Sequence, residues 1–238
     1  MNSFKDILMT EAQKQHIKLT QEKIHQFDEF RTRLLKWNKK VNLTNITKPE
    51  DFAKKHIIDS LMLIKYTEIN NGARIIDVGT GPGIPGLIIK IYRPDIKLSL
   101  VESIRKKTEF IKWIIQDMNI SNVKVVNERA ENIGHRIEHR EKYDIAVARA
   151  VSALNTLLEL CLPFVKIGGI FVAMKGSSPE QELDLSKKAL EILGGKMKEC
   201  KRYTLDEGSQ RNLIIISKLK SCPDKYPRRP GVPGKNPL

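Results

Sequence analysis

The stretch Ile75-Ile76-Asp77-Val78-Gly79-Thr80-Gly81-Pro82-Gly83-Ile84-Pro85-Gly86, followed by Leu87-Ile88-Ile89-Lys90-Ile91, decides the fold. A short apolar run enters a glycine-rich turn, and the turn opens a helix. Glycine suits backbone that must take positive φ or lie against a ligand with no Cβ between them. The start of a helix offers free amides and the positive end of a dipole to something polar. Glu102, nineteen positions after Gly83, ends a second apolar strand, where a carboxylate can take both hydroxyls of a ribose. Together these features predict a site for a nucleoside-containing cofactor.

Outward from this turn, strands alternate with helices. Strands are expected at Arg74–Val78, Lys97–Val101, Asn122–Val126, Tyr143–Ala148 and Ile170–Met174. Between them, Phe110, Ile111, Ile114, Ile115 and Met118 fall on one helical face, as do Leu154, Leu157, Leu158, Cys161 and Leu162. Such β-α alternation implies an α/β fold with a mainly parallel sheet, covered by helices on both faces. Two further strands, Lys196–Tyr203 and Asn212–Lys218, are joined by a loop so short that only antiparallel pairing is possible. Upstream, Ile24, Phe27, Phe30, Leu34, Leu35, Trp37 and Val41 recur at steps of mostly three and four, marking an amphipathic helix with Thr20 as its N-cap. Another helix is expected over Phe52–Tyr66. Residues 1–70 therefore read as an N-terminal helical annex, 71–220 as the main domain and 221–238 as a basic, proline-rich tail.

The 238 residues carry 42 Lys and Arg against 28 Asp and Glu, a net charge of +14, with 40% hydrophobic residues. The apolar content excludes global disorder, and the charge favours a polyanionic partner. No run approaches the ~18 apolar residues of a spanning helix, so nucleic acid is expected rather than a membrane. The first sixty residues hold twelve Lys and Arg against eight acids. From Ser217 onward six basic residues meet only Asp224, among prolines that bar helix and central strand. An extended tail that orders on RNA is expected there. Cys161, Cys200 and Cys222 form no C-x-x-C pair, which points away from disulfides and zinc and toward a reducing cytoplasm. His135 and His139, four apart, have no evident third ligand, so no metal is expected.

Gly81-x-Gly83-x-x-Gly86 formally matches the dinucleotide fingerprint. Asp77, immediately ahead of the loop, pulls away from it. A carboxylate there repels a pyrophosphate but suits a ligand with an ammonium group, such as S-adenosylmethionine. The absence of G-K-[ST] after the glycines excludes a P-loop. The plainer alternative, glycines that only make a tight βα turn, leaves Asp77 and Glu102 unexplained. The residues alone thus nominate Asp77, Gly79, Gly81, Gly83 and Glu102 as cofactor ligands.

The chain resembles the bacterial small-subunit ribosomal RNA guanine-N7 methyltransferase family, long called glucose-inhibited division protein B. The resemblance rests on Leu35-Lys36-Trp37-Asn38-Lys39, Val41-Asn42-Leu43-Thr44, His56-Ile57-Ile58-Asp59-Ser60 and the Asp77–Gly83 loop. It continues through Arg129-Ala130-Glu131, Ala148-Arg149-Ala150, Lys175-Gly176 and the tail Lys225-Tyr226-Pro227-Arg228-Arg229-Pro230-Gly231. It implies a class I, Rossmann-like S-adenosylmethionine-dependent methyltransferase fold, with a seven-stranded sheet ending in a reversed hairpin. It also implies cofactor contacts at Gly79, Ile84, Ala130, Glu131 and Arg149. Members often carry Asp where this chain has Glu102, so the ribose contact here is one methylene longer. The implied substrate is 16S ribosomal RNA or the small ribosomal subunit; a monomer is expected, though not from the resemblance.

Guanine N7 attacks with an in-plane lone pair and loses no proton, so no strong general base is required. The enzyme must hold that nitrogen about 3 Å from the methyl carbon and exclude water. No catalytic residue is singled out; Arg149, at a strand's carboxyl end where ligands of open sheets collect, and His56 are the candidate positioning residues. For His56 an equal alternative is the docking of a helix end on the sheet. The N-P-P-Y and D-P-P-Y signatures of amino-group methylation are missing, and so is a P-C nucleophile. Two competing readings are a ribose 2′-O-methyltransferase, for which Asp144 and Lys175 supply half of a Lys-Asp-Lys-Glu set, and a non-catalytic ribosome-assembly factor.

Overall fold

The computed structural model describes residues 3–149, 152–176, 179–206 and 208–238, so Ala150 of the Ala-Arg-Ala segment lies outside the described residues. Seven strands form one sheet: β1 (Arg74–Val78), β2 (Lys97–Val101), β3 (Val123–Val126), β4 (Tyr143–Arg149), β5 (Val165–Lys175), β6 (Gly195–Thr204) and β7 (Gln210–Lys218). Their order is β3-β2-β1-β4-β5-β7-β6. The first five run parallel, while β7 pairs antiparallel with both β5 and β6. The expected hairpin is present, and its second strand is inserted next to the parallel core. β5 extends five residues further back than expected, because Val165 pairs with Tyr143 before a register shift at Tyr143/Ile145.

Between the strands lie α5 (Gly86–Tyr92), α6 (Arg105–Asp117), α7 (Ala130–Ile133), α8 (Leu154–Cys161), α9 (Pro179–Leu185) and α10 (Lys187–Leu193). Ahead of the sheet come α1 (Phe4–Lys14), α2 (Gln21–Asn38), α3 (Pro49–Phe52), a π-helical turn (Ala53–Ile58) and α4 (Asp59–Tyr66). The Thr20 hydroxyl accepts the Lys23 amide at 3.2 Å, the N-cap the sequence predicts. Ser3 and Asp6 cap α1 reciprocally. α1 was not among the expected helices, although its buried positions, Phe4, Leu8, Glu11 and Ala12, follow the i, i+4, i+7, i+8 spacing of an amphipathic helix.

Two apolar clusters hold the molecule. Phe27, Phe30, Phe52 and Leu61 of the N-terminal helices join Ile88, Leu100 and Val147 on one face of the sheet, so these helices have no core of their own. On the other face, Leu157, Leu158 and Phe171 are joined by Cys222 and Tyr226 of the tail. Phe27, Phe30 and Phe52 are fully buried, and each contributes about 1.5–3 kcal/mol relative to exposure.

The tail departs from expectation. It is folded onto its own domain and ends in a short turn, α11 (Val232–Lys235). Arg140 donates to the carbonyls of Cys222, Pro223 and Tyr226. Glu159, wholly buried, accepts the Arg228 amide at 2.7 Å and its guanidinium at 2.6–3.1 Å. The physical reason is that a buried carboxylate on α8 needs a cation, and the tail supplies it. Arg228 is therefore not available to RNA. Arg228→Ala strands the Glu159 charge, and breaking such a pair costs about 3 kcal/mol. Thermal unfolding should show a melting temperature several degrees lower, and Arg228→Ala/Glu159→Gln should recover most of the loss.

Candidate functional site

A cavity of about 730 Å³ opens at the carboxyl ends of the parallel strands. Gly79, Gly81 and Ile84 of the loop after β1 line it together with His56 and Arg149, so the fold gathers five of the residues predicted from sequence. Thr44, Asn45, Lys175, Glu182, Tyr203 and Arg211 also line the cavity. Ligands of open α/β sheets settle at this edge, where the order reverses between β1 and β4.

The loop is built for close approach. Gly81 has φ +61°, and a Cβ there would meet nothing within 4 Å, so the backbone faces open space. Gly86 is required for packing instead. A Cβ on it would lie 2.5 Å from Leu100 Cδ2 and 2.9 Å from Asp77 Oδ2. Gly83, with φ +90°, is tight against Leu87 and is not part of the wall.

Asp77 lies one layer beneath the cavity and is fully buried. Its Oδ2 accepts the Thr80 hydroxyl at 2.6 Å and the Gly86 amide at 2.8 Å, stitching both ends of the loop. Its Oδ1 is buried with no partner among the described residues. Burial pushes the carboxyl up to about 6, against the lowering effect of its two hydrogen bonds and of Arg149. An orphaned acidic oxygen under a glycine cradle fits a ligand with a cationic amino acid end.

Glu102 braces the loop from behind. Its carboxylate accepts the Gly81 amide at 3.0 Å and the Ile104 amide at 2.8 Å. Ala130 and Glu131 open α7 away from the cavity wall, and Glu131 accepts the amide of Gly231 in the tail at 3.0 Å. The predicted set thus falls into a wall, a buried brace and this separate helix start.

On the helical side, Arg149 ties several elements together. Its guanidinium donates to the Lys55 carbonyl at 2.7 Å and to Asp59 Oδ2 at 3.2 Å, and lies 3.1 Å from His56 Nδ1. His56 Nε2 meets the Thr44 hydroxyl at 2.9 Å. Tyr203 donates to Asp59 Oδ1 at 2.6 Å. Burial, helped by the Arg149 charge, depresses His56 to about 3, so it is neutral at physiological pH. Burial and the Asp59 carboxylate drive Tyr203 upward. His56 sits in the π-helical turn, a distortion frequent at functional sites, and no sequence signal marks it.

Sequence reasoning had Asp59 beside His56 in one motif and Thr44 in another, without their contacts, and missed Asn45, Glu182, Tyr203 and Arg211. Asn38 offered one clue. Its side chain accepts the Leu43 and Thr44 amides and donates to the Thr44 carbonyl, fixing the loop that presents Thr44 and Asn45. Other expectations resolve simply. Cys161 is buried core, and burial raises its thiol. His135 bonds the Pro227 carbonyl and His139 the Tyr143 hydroxyl. Asp144 pairs with Lys166 at the amino end of β4, while Lys175 ends β5. About six residues of strand rise, roughly 20 Å, separate Asp144 from Lys175, so the Lys-Asp-Lys-Glu set does not form.

Strand order, glycine cradle and buried acid define a class I, Rossmann-like methyltransferase that uses S-adenosylmethionine. The fold agrees with solved structures of low identity. "TrmN from Thermus thermophilus" superposes with TM-score 0.53 at 16% identity, covering 67% of this chain and 48% of that one. "Aeropyrum pernix fibrillarin in complex with natively bound S-adenosyl-L-methionine" gives 0.51 at 15%, covering 67% and 73%. Residues 23–214 match the family model described as rRNA small subunit methyltransferase G, and the chain belongs to that family. Proteins named ribosomal RNA small subunit methyltransferase G are similar along nearly their whole length. That of Clostridium botulinum (strain Loch Maree / Type A3) is 41% identical over 99% of both chains, and that of Moorella thermoacetica 46% identical over 93% of both.

Proposed function

We propose that this chain transfers a methyl group from S-adenosylmethionine to N7 of a guanine in small-subunit ribosomal RNA. The family supports the RNA. The observation that carries the choice of atom is that His56, Asp59, Tyr203 and Lys175, the cavity-wall groups a hydroxyl-activating set would draw on, are all engaged by other residues. Both His56 nitrogens and both Asp59 oxygens are engaged, Tyr203 is committed to Asp59, and Lys175 is bonded to Glu182 at 2.7 Å and to the Ser152 carbonyl at 2.6 Å. A ribose hydroxyl must surrender a proton to react, whereas a purine N7 does not.

When bound, S-adenosylmethionine supplies an electrophilic methyl group on a sulfonium. Gly79, Gly81 and Ile84 would hold it at the loop, and Glu102 through the backbone it braces; Ala130 and Glu131, outside the cavity wall, are assigned to it by the family resemblance alone. Asp77 keeps the loop in shape and places a negative charge beneath it. Arg149 and His56 fix the facing wall. The division into 1–70, 71–220 and 221–238 remains a useful description, with the tail serving as a strap on the catalytic domain. A cytoplasmic monomer is the state this reading favours. The exposed apolar side chains Ile104, Ile137 and Leu185 lie on separate elements, and none of the described helices is long and apolar enough to cross a membrane.

The test is transfer of labelled methyl to naked small-subunit RNA and to subunits from a strain lacking the enzyme, followed by borohydride and aniline. One new cleavage, at 7-methylguanine, is expected in the subunit substrate. Label without cleavage would move the reaction to another atom, and no cofactor binding would leave the chain as an assembly factor.

A further inference from the structure

Two carboxylates line the cavity beyond the glycine loop, and they differ in one respect. Asp59 has both oxygens occupied, by Tyr203 and by Arg149. Glu182, on α9, has only one oxygen engaged. Its Oε2 accepts the Leu154 amide at 2.8 Å and Lys175 Nζ at 2.7 Å, while Oε1 accepts no hydrogen bond from the described residues. The side chain is 29% exposed, enough to meet a ligand. It is also held in place. The amide at the start of α8 and the cation at the end of β5 grip the same oxygen, and the Ser186 hydroxyl donates to the Glu182 carbonyl at 2.6 Å. One fixed oxygen and one unspent oxygen make a preorganised acceptor.

An unstacked base is read on its Watson–Crick edge when its other edge is committed. For methylation at N7 the Hoogsteen edge must face the methyl donor, which leaves N1–H and the N2 amino group of guanine on the far side. A carboxylate complements those two donors. Adenine would turn the lone pair of its N1 toward it, so the same group repels the wrong purine. N7 methylation also leaves the purine cationic, and a carboxylate on the opposite edge attracts that charge as it develops.

We infer that Glu182 is the specificity residue for the target base, its Oε1 accepting hydrogen bonds from the Watson–Crick N–H groups of guanine while Lys175 and the Leu154 amide hold Oε2. This inference rests on the guanine-N7 reading above and names how that site selects its base.

The experiment uses the full chain and small-subunit RNA ligated to carry guanine or inosine at the methylated nucleotide, assembled into subunits. Inosine keeps N7, O6 and N1–H and lacks only the 2-amino group. Wild type should methylate guanine with kcat/KM about tenfold or more above inosine, the scale of one hydrogen bond to a charged group. Glu182→Gln should lower kcat/KM on guanine and bring the guanine-to-inosine ratio to within about twofold. A purely structural Glu182 would lower both substrates alike. A ratio that persists in the variant, or equal rates on both substrates with wild type, would overturn the assignment, and the second outcome needs no variant to fold. No transfer to the guanine substrate by wild type would overturn the N7 reading and this inference with it.

Discussion

Asp77→Asn should stabilise the cofactor-free protein at pH 7.5 and still abolish most of its affinity for S-adenosylmethionine. Burial holds the folded-state carboxyl at about 6, against 3.8 for an aspartate in water. Between these values the folded state binds more protons than the unfolded one, so stability falls as pH rises through this window. At neutral pH the buried charge therefore weakens the apo fold by on the order of 3 kcal/mol. Asparagine keeps the shape, can still accept from Thr80 and Gly86, and removes the charge. Calorimetric melting at pH 7.5 should show the variant about 5 °C or more higher, with the difference closing near pH 4.

Function should move the other way. Isothermal titration should show cofactor affinity weakened by about tenfold or more, because the carboxylate beneath the loop no longer offsets the positive charge of the ligand. In the wild type, affinity should fall as pH drops below about 6, approaching tenfold per pH unit, and the variant should lose that slope. A variant that melts lower at pH 7.5, or one whose affinity keeps the wild-type slope, would show that Asp77 is an ordinary loop brace. The positions with opposite effects on stability and binding are where a site stores its cost.

Much of this fold was legible because its signals are local. A buried parallel strand reads as a continuous apolar run, and Arg74–Val78 and Lys97–Val101 coincide with β1 and β2 residue for residue. The glycine loop was legible for the same reason, since positive φ at Gly79, Gly81 and Gly83 leaves glycines in the sequence. What escaped depends on partners far along the chain. Tyr203 and Asp59 are 144 positions apart, and Arg228 and Glu159 are 69 apart. Charge counting treated every lysine and arginine as solvent-facing. It could not show that Arg228 neutralises Glu159, nor that Lys218 is wholly buried against the carbonyls of Leu162 and Leu193. Glu182 was hidden for a related reason: an acid in a polar helix start carries no mark of the cavity it faces.

Arg149→Met should be the most damaging single change in the cavity wall, and its stability and activity losses should separate. The guanidinium is the counter-charge of Asp59, which is 5% exposed. Removing it strands that carboxylate and costs about 2–4 kcal/mol, the lower end reflecting the partial exposure of Arg149. Adding Asp59→Asn should restore most of the melting temperature, because a neutral pair replaces an uncompensated charge. Activity should not return. Without the guanidinium, His56 loses its Nδ1 partner and the wall between the π-helical turn and β4 loses its register, so kcat should stay at least about 100-fold down in both variants. The imidazole offers a readout that a global loss of stability would not move. Wild-type His56 should remain neutral by NMR down to about pH 3, and kcat should show no inflection from it near 6.5. In Arg149→Met the repulsion between two cations is gone, and the His56 titration should rise toward its ordinary value while burial still holds it below 6.5. Recovery of activity together with stability in Arg149→Met/Asp59→Asn would reduce Arg149 to a structural ion pair, and the cavity would then need another residue to orient its base.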